Sequence, residues 1–240
     1  VSAPAVADLP PVLYEDEALI AFDKPAGLPI SPDRWNKALP CLVRLIHQRL
    51  SPEIFNAHRI DRDVSGVVLC AKSRADLHHV CRQFERGEVV KEYVGLVRGS
   101  PPEPSGRIRL PIAPDPRKPG RVVIAEGGKP AATEYAVLRR LGPYSLLHLR
   151  PLTGRTHQIR VHLDMLGCPL VADPWYGGGR PLEAPDGENG GAPRLPIARP
   201  ALHAAALELR HPRDDRRLRI EAPWPADLLA AVERLSAAST

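Results

Sequence analysis

The run His58-Arg59-Ile60-Asp61-Arg62-Asp63-Val64-Ser65-Gly66 sets one candidate reactive carboxylate, Asp61, between Arg59 and Arg62. Neighbouring cations favour the ionised form of a carboxylate, which can then act as a nucleophile. The same residues also fit a loop aspartate in a surface ion pair. A second basic group spans Arg150 to His162, with Arg155 just ahead of a helical pattern and Arg160 about one turn inside it. Arginines at a helix start can hold phosphate or orient a carboxylate brought from elsewhere in the fold, although a solvated basic helix face would read alike. Tyr93 stands in a strand pattern with Val94 and Val97. It fits a core or edge aromatic, or a nucleotide pocket in which the ring stacks on a base and the hydroxyl handles a proton. His157 and His162 are five apart, which is not the spacing of a zinc helix, so no metal is assigned to them.

The composition agrees with an anionic partner without requiring one. The chain of 240 residues carries a formal charge of +5, and only six of its 33 Lys and Arg are lysine. The planar donor fork of arginine suits phosphates and carboxylates. Cys41, Cys70, Cys81 and Cys168 are too scattered for a CxxC zinc or redox pair and read as buried free thiols. No stretch has the 18 or more apolar residues of a membrane span, and the start lacks a basic segment followed by a hydrophobic one. These features predict a cytoplasmic enzyme with no membrane association.

The elements that must position these groups are legible from periodicity and turn residues. After a lead over residues 1–11, the first ordered element is expected near Val12, with a strand at 18–22 closed by the turn Lys24-Pro25-Ala26-Gly27. Leu39, Leu42, Val43 and Ile46 predict a helix through about Leu50. A strand at 67–71, a helix opened by Ser73 and Asp76 as a capping box, and a strand at 92–97 follow, so the Asp61 loop immediately precedes a buried strand. Short strands are expected at 106–110 and 121–124, and a hairpin at 133–138 and 144–149 with residues 139–143 as its loop. Thr156 is the expected cap of a helix that ends at Gly167 and turns Arg160 away from its apolar face. Residues 177–200 read as a long loop, unusual in a compact domain unless mobile or functional, before strands at 202–209 and 218–222 and a last helix at 227–235.

Three segments together resemble the RluA-type family of RNA pseudouridine synthases: HRIDRDVSGVVLCAKS at 58–73, KEYVGLVRG at 91–99 and PLTGRTHQIRVHLDMLGCPLVADPWYG at 151–177. Supporting matches lie at 14–27, 129–138 and 199–209, in the expected order. The histidine that opens HRID is typical of this branch, whereas a related branch usually has glycine there. Ile60 replaces the more usual leucine, and Val64 replaces a threonine, which removes one local hydroxyl.

The resemblance implies an α+β fold with a central mixed, mostly antiparallel sheet, flanking helices and an active-site cleft. One catalytic domain is expected over 12–240; many relatives carry a small N-terminal RNA-binding domain, and with about eleven residues ahead of the first expected strand none is expected here. The resemblance makes Asp61 the catalytic aspartate, Tyr93 the tyrosine that stacks on the target uracil, and Arg160 the basic residue that pairs with the aspartate. Arg59 is implied in RNA contact or in filling the gap left by a flipped nucleotide, and Arg62, Arg155 and His157 join it as expected RNA contacts. No metal or organic cofactor is implied. The expected partner is structured ribosomal or transfer RNA, and a monomer is favoured. The rival from another class is a noncatalytic RNA-binding protein that keeps the fold; a hydrolase would need a metal-ligand set, or a second carboxylate, for which only Asp63 is at hand.

Overall fold

The structure, a computed structural model, describes residues 8–32, 40–177 and 197–238. Its elements in chain order begin with β1 (Val12–Glu15), β2 (Leu19–Lys24), α1 (Leu42–Arg49), β3 (Phe55–Asn56), β4 (Ser65–Ala71), α2 (Arg74–Arg86) and β5 (Val90–Arg98). They continue with β6 (Ser105–Arg109), β7 (Ile112–Pro114), β8 (Val122–Ile124), β9 (Ala132–Leu141), β10 (Tyr144–Pro151) and α3 (Gln158–Met165). The last are β11 (Leu202–Arg210), β12 (Arg217–Glu221) and α4 (Ala226–Ala237). The fold is α+β. It divides into two compact units, one of residues 1–91 and 204–223, the other of 92–203 and 224–240. Most of the expected loop, residues 178–196, lies outside the described residues, as does Leu39 of the expected first helix. Among the described residues no helix is long and apolar enough to cross a membrane.

In the first unit the strand order is β1-β2-β4-β11, with β3 on β4 and β12 on β11. Every second residue along these strands faces one core: Leu19 and Ala21, Val67, Leu69 and Ala71, Leu207 and Leu209, Leu218 and Ile220. The period of two is the strand's own, and α2 covers this face with Val80, Leu77 and Phe84. The alternate residues Ile20, Phe22, Val68 and Cys70 are buried as well, which is why β4 reads as an unbroken apolar run. The helix α2 starts as expected, with the Ser73 hydroxyl accepting from the Asp76 N–H at 3.1 Å. At the edge of β11 the Gln83 amide imitates a strand: its Nε2 donates to the Arg210 carbonyl at 2.7 Å and its Oε1 accepts the Arg210 N–H at 2.8 Å.

In the second unit β5, β10, β9 and β6 form an antiparallel sheet in that order, and β7 pairs with β8 separately. The β9–β10 hairpin is longer than expected. Leu138, where the first strand was expected to end, is the extra residue of a bulge and is 48% exposed, and the strand resumes beyond it through Arg139 and Arg140. Two residues then close the hairpin. Gly142 has φ +60°, and the proline after it excludes a second positive φ, which fits a type II′ turn. The strand β7 was not expected, being three residues that end in proline.

At Gly66 (φ +115°) a Cβ would stand 2.1 Å from the backbone oxygen of Ala204, so two backbones meet where no side chain fits. Gly66→Ala should therefore lower unfolding stability by about 3 kcal/mol or more, measured by urea denaturation. An unshifted midpoint would show that β4 and β11 do not approach there.

Candidate functional site

The expected site residues fall into two sets. Arg59, Asp61 and Arg62 lie in the loop between β3 and β4 of the first unit; Tyr93, Arg155, His157 and Arg160 belong to the second.

The Asp61 loop is held at both ends. On entry, β3 pairs with β4 and the Ala57 N–H donates to the Leu69 carbonyl at 2.9 Å, after which the His58 ring replaces backbone. Its Nε2 accepts the Leu69 N–H at 3.0 Å, so the chain leaves the sheet without stranding a buried donor. The ring also stacks on Phe84, with centroids 5.1 Å apart. Because Nε2 is an acceptor, the imidazole is neutral with its proton on Nδ1. Burial holds its pKa down at about 4, and the Lys91 charge pushes the same way. Ile60 is buried beneath the loop, Arg59 is exposed and Asp61 is half-buried.

On exit, the Val64 N–H closes a turn onto the Asp61 carbonyl at 3.2 Å. The Arg62 carbonyl accepts from the Gly27 N–H and from Lys24 Nζ, both at 2.9 Å. Lys24 is fully buried, and its ammonium also donates to the carbonyls of Pro25 at 2.8 Å and Leu28 at 2.9 Å. The exposed Arg62 side chain returns the contact through Nε to the Gly27 carbonyl at 3.1 Å. Its approach to Asp63, at 4.0 Å and open to solvent, adds little. Lys24 was read from sequence only as part of a turn; its side chain proves to be the clamp between that turn and the Asp61 loop.

In the second unit the PLTGRTHQIR segment folds onto β9 through Gln158. Its Oε1 accepts from the Thr153 hydroxyl at 2.7 Å and the Arg155 N–H at 3.0 Å, while Nε2 donates to the Ala132 carbonyl at 2.9 Å. His162 is engaged too: the Leu110 carbonyl at 3.0 Å requires a proton on Nε2, so Nδ1 accepts from the Thr133 hydroxyl at 2.9 Å. The cap of α3 is His157 rather than Thr156. His157 takes φ +50°, a strained value for a non-glycine residue, and its Nδ1 lies 3.1 Å from the Tyr176 hydroxyl.

Arg160 does not turn away from the apolar face. It is 3% exposed, because residues 158–163 of this short helix are all buried and no solvent face exists there. Its guanidinium forms a fork-on-fork pair with Asp173, Nε to Oδ2 at 2.7 Å and Nη2 to Oδ1 at 2.8 Å. Asp173 Oδ1 also accepts the N–H groups of Trp175 at 2.9 Å and Tyr176 at 3.3 Å. Arg160 lies over the Tyr176 ring, 5.3 Å from its centroid. Asp173 escaped the sequence reading although it stands in the quoted VADPWYG; its burial was the missing signal. Tyr93 is half-buried in β5 opposite Leu149 of β10. Arg155 is exposed, with Nε on the Pro130 carbonyl at 3.1 Å.

A family profile described as RNA pseudouridylate synthase matches residues 18–165, well over half of the chain. The chain belongs to that family, and to its RluA type. It is 36% identical to the dual-specificity RNA pseudouridine synthase RluA of Salmonella typhi, over 84% of this chain and 87% of that protein. It is 39% identical to the ribosomal large subunit pseudouridine synthase D of Nitrosomonas europaea, over 93% of this chain but 64% of that longer protein. Among solved structures, the human RNA pseudouridylate synthase domain containing 4 superimposes with a TM-score of 0.73 at 26% identity, covering 93% of this chain and 92% of that one.

Two outcomes test the restraints described. Arg160→Met and Asp173→Leu should each cost about 3 kcal/mol or more by leaving a buried partner uncompensated, and the double variant should cost less than the two together. Strict additivity in a denaturant cycle would show that the pair is not coupled. For His58 the unfolded chain takes up a proton near pH 6.5 and the folded chain only near 4, so the unfolded state binds more protons between those values. Stability should fall as pH drops through that window, by up to about 3 kcal/mol, and fall less in His58→Gln. Parallel losses in both proteins would remove His58 from the account.

Proposed function

We propose that this chain is the catalytic region of an RNA pseudouridine synthase, isomerising a specific uridine in ribosomal or transfer RNA with Asp61 as the nucleophile. The observation that carries this reading is the family match over 18–165, which contains Asp61, Tyr93 and Arg160. The naming of relatives for the large ribosomal subunit favours ribosomal RNA as a substrate.

The reaction breaks the bond from uracil N1 to the sugar C1′, turns the detached ring, and joins its C5 to the same carbon. No atom is gained or lost. Attack of Asp61 on C1′, elimination to a glycal, and addition to uracil C6 each use the same carboxylate. The restraint of its loop by Lys24 and His58 supports such a role, because a nucleophile held in place loses less entropy on reaching its target.

Arg160 is the proposed counter-charge of Asp61, oriented for that task by its pair with Asp173. Tyr93 would stack on the uracil and assist loss of the C5 proton. A stacked uridine must be flipped out to react, at a cost of roughly a few kcal/mol. Arg59, Arg62, Arg155 and His157 are the proposed RNA contacts that offset it. The enzyme would act in the cytoplasm with no metal or organic cofactor.

Asp61→Asn should abolish pseudouridine formation in purified protein while changing RNA affinity by less than about tenfold, or about 1.4 kcal/mol. Pseudouridine is read by mapping the modified transcript. Activity equal to the parent's would overturn the role of Asp61. A parent protein that binds RNA but modifies none would favour the noncatalytic RNA-binding reading.

A further inference from the structure

The catalytic roles leave unused the β7–β8 hairpin of the second unit and its charged tip at residues 115–121. The tip is a closed turn. The Asp115 N–H donates to the Arg121 carbonyl at 2.9 Å, the Arg121 N–H to the Lys118 carbonyl at 3.0 Å, and Asp115 Oδ1 accepts the Arg117 N–H at 2.9 Å. The hairpin is pinned directly below its tip by Tyr176, whose hydroxyl lies 3.2 Å from the Val122 nitrogen and 3.1 Å from its carbonyl oxygen. Ile112, Val122, Val161 and Tyr176 share one apolar cluster, so the hairpin is seated on α3.

Charge is distributed unevenly over this rigid turn. Asp115 is mostly buried and is paired with Arg121 at 3.2 Å, and Arg121 in turn lies over the Tyr176 ring. Its negative charge is thus spent inward. Arg117 and Lys118 are exposed, and among the described residues neither has a carboxylate partner. Lys118 is nevertheless not loose: its Nζ sits 5.0 Å from the centre of the Trp175 ring. Trp175 in turn meets the His157 ring edge-on at 5.4 Å, which links the tip to the start of α3. A cation held over an aromatic face has already lost much of the side-chain freedom that a contact would otherwise cost.

We infer that this hairpin is a phosphate-gripping finger for RNA, in which Arg117 and Lys118 contact the backbone and Trp175 positions Lys118. The inference rests on the proposed RNA substrate and adds a contact surface outside the residues assigned to it. Two exposed cations on a hydrogen-bonded turn whose one carboxylate, Asp115, is paired inward with Arg121 suit a sequence-independent backbone contact.

The test is fluorescence anisotropy with a labelled RNA stem-loop, titrated between about 50 and 200 mM KCl. Arg117→Gln with Lys118→Gln should raise Kd on the order of tenfold and reduce the slope of log affinity against log salt by about 1.5, as expected for two lost phosphate contacts. Trp175→Leu should raise Kd with the slope kept, because both cations remain, and Trp175→Phe should restore most of the affinity. Arg82→Gln with Arg86→Gln on α2 is the charge-matched control.

An unchanged slope in the tip variant, with its unfolding temperature equal to the parent's, would overturn the inference. So would an equal loss in the α2 control, which would make the effect one of net charge. Pseudouridine formation by the parent, measured in parallel, separates the two readings: if the parent modifies RNA and the tip variant binds as tightly, the finger alone is wrong. If the parent neither binds nor modifies any RNA, both fail.

Discussion

The ammonium of Lys24 ties two loops of the first unit to one point. Its hydrogen bonds reach the carbonyls of residues 25, 28 and 62, so the turn after β2 and the loop before β4 share a single buried anchor. Hydrogen bonds from a charged donor are each worth about 1.5–3 kcal/mol when their loss strands a buried acceptor. With His58 holding the other end, the carboxylate between them rides on backbone that is fixed on both sides. Burying a lysine is costly in general, and here the cost is offset by acceptors that the turn and the Asp61 loop supply together.

The second unit solves a related problem with a different pair. Arg160 lies in a helix whose first six residues are all buried, and Asp173 meets it fork to fork while also receiving the N–H groups of Trp175 and Tyr176. Such a pair contributes orientation more than stability, since removing both charges from water costs about as much as their attraction returns. The strained φ of His157 belongs to the same arrangement, because it lets the helix begin directly after the Gly-Arg-Thr loop with the imidazole on the Tyr176 hydroxyl. Tyr176 therefore joins three things: the helix cap, the Arg160 face and the β7–β8 hairpin.

Where the sequence reading succeeded, the signal was local. Ser73 and Asp76 capped a helix because their spacing alone brings hydroxyl and N–H together, and β4 showed as an apolar run because both its faces are covered. Where it erred, the deciding partner was distant. Leu138 looked like a strand end because a bulge interrupts the alternation, which the pairing with β10 then restores. Arg160 looked solvent-facing because a periodicity argument assumes that a charged residue has no buried counter-charge, and Asp173 is thirteen residues further on. The roles of Tyr93 and of the exposed arginines came from family resemblance, not from spacing.

By itself the sequence determined the family, the α+β class, the order of most elements and the residues able to do chemistry. These follow from short-range patterns, and from motifs whose order along the chain is enough to recognise them. Only the tertiary structure decided that Lys24 restrains the Asp61 loop, that Asp173 holds Arg160, and that Trp175 sits beneath Lys118. Each of these depends on burial and on contacts between segments that no local spacing encodes, so the energy that selects them exists only once the chain has folded.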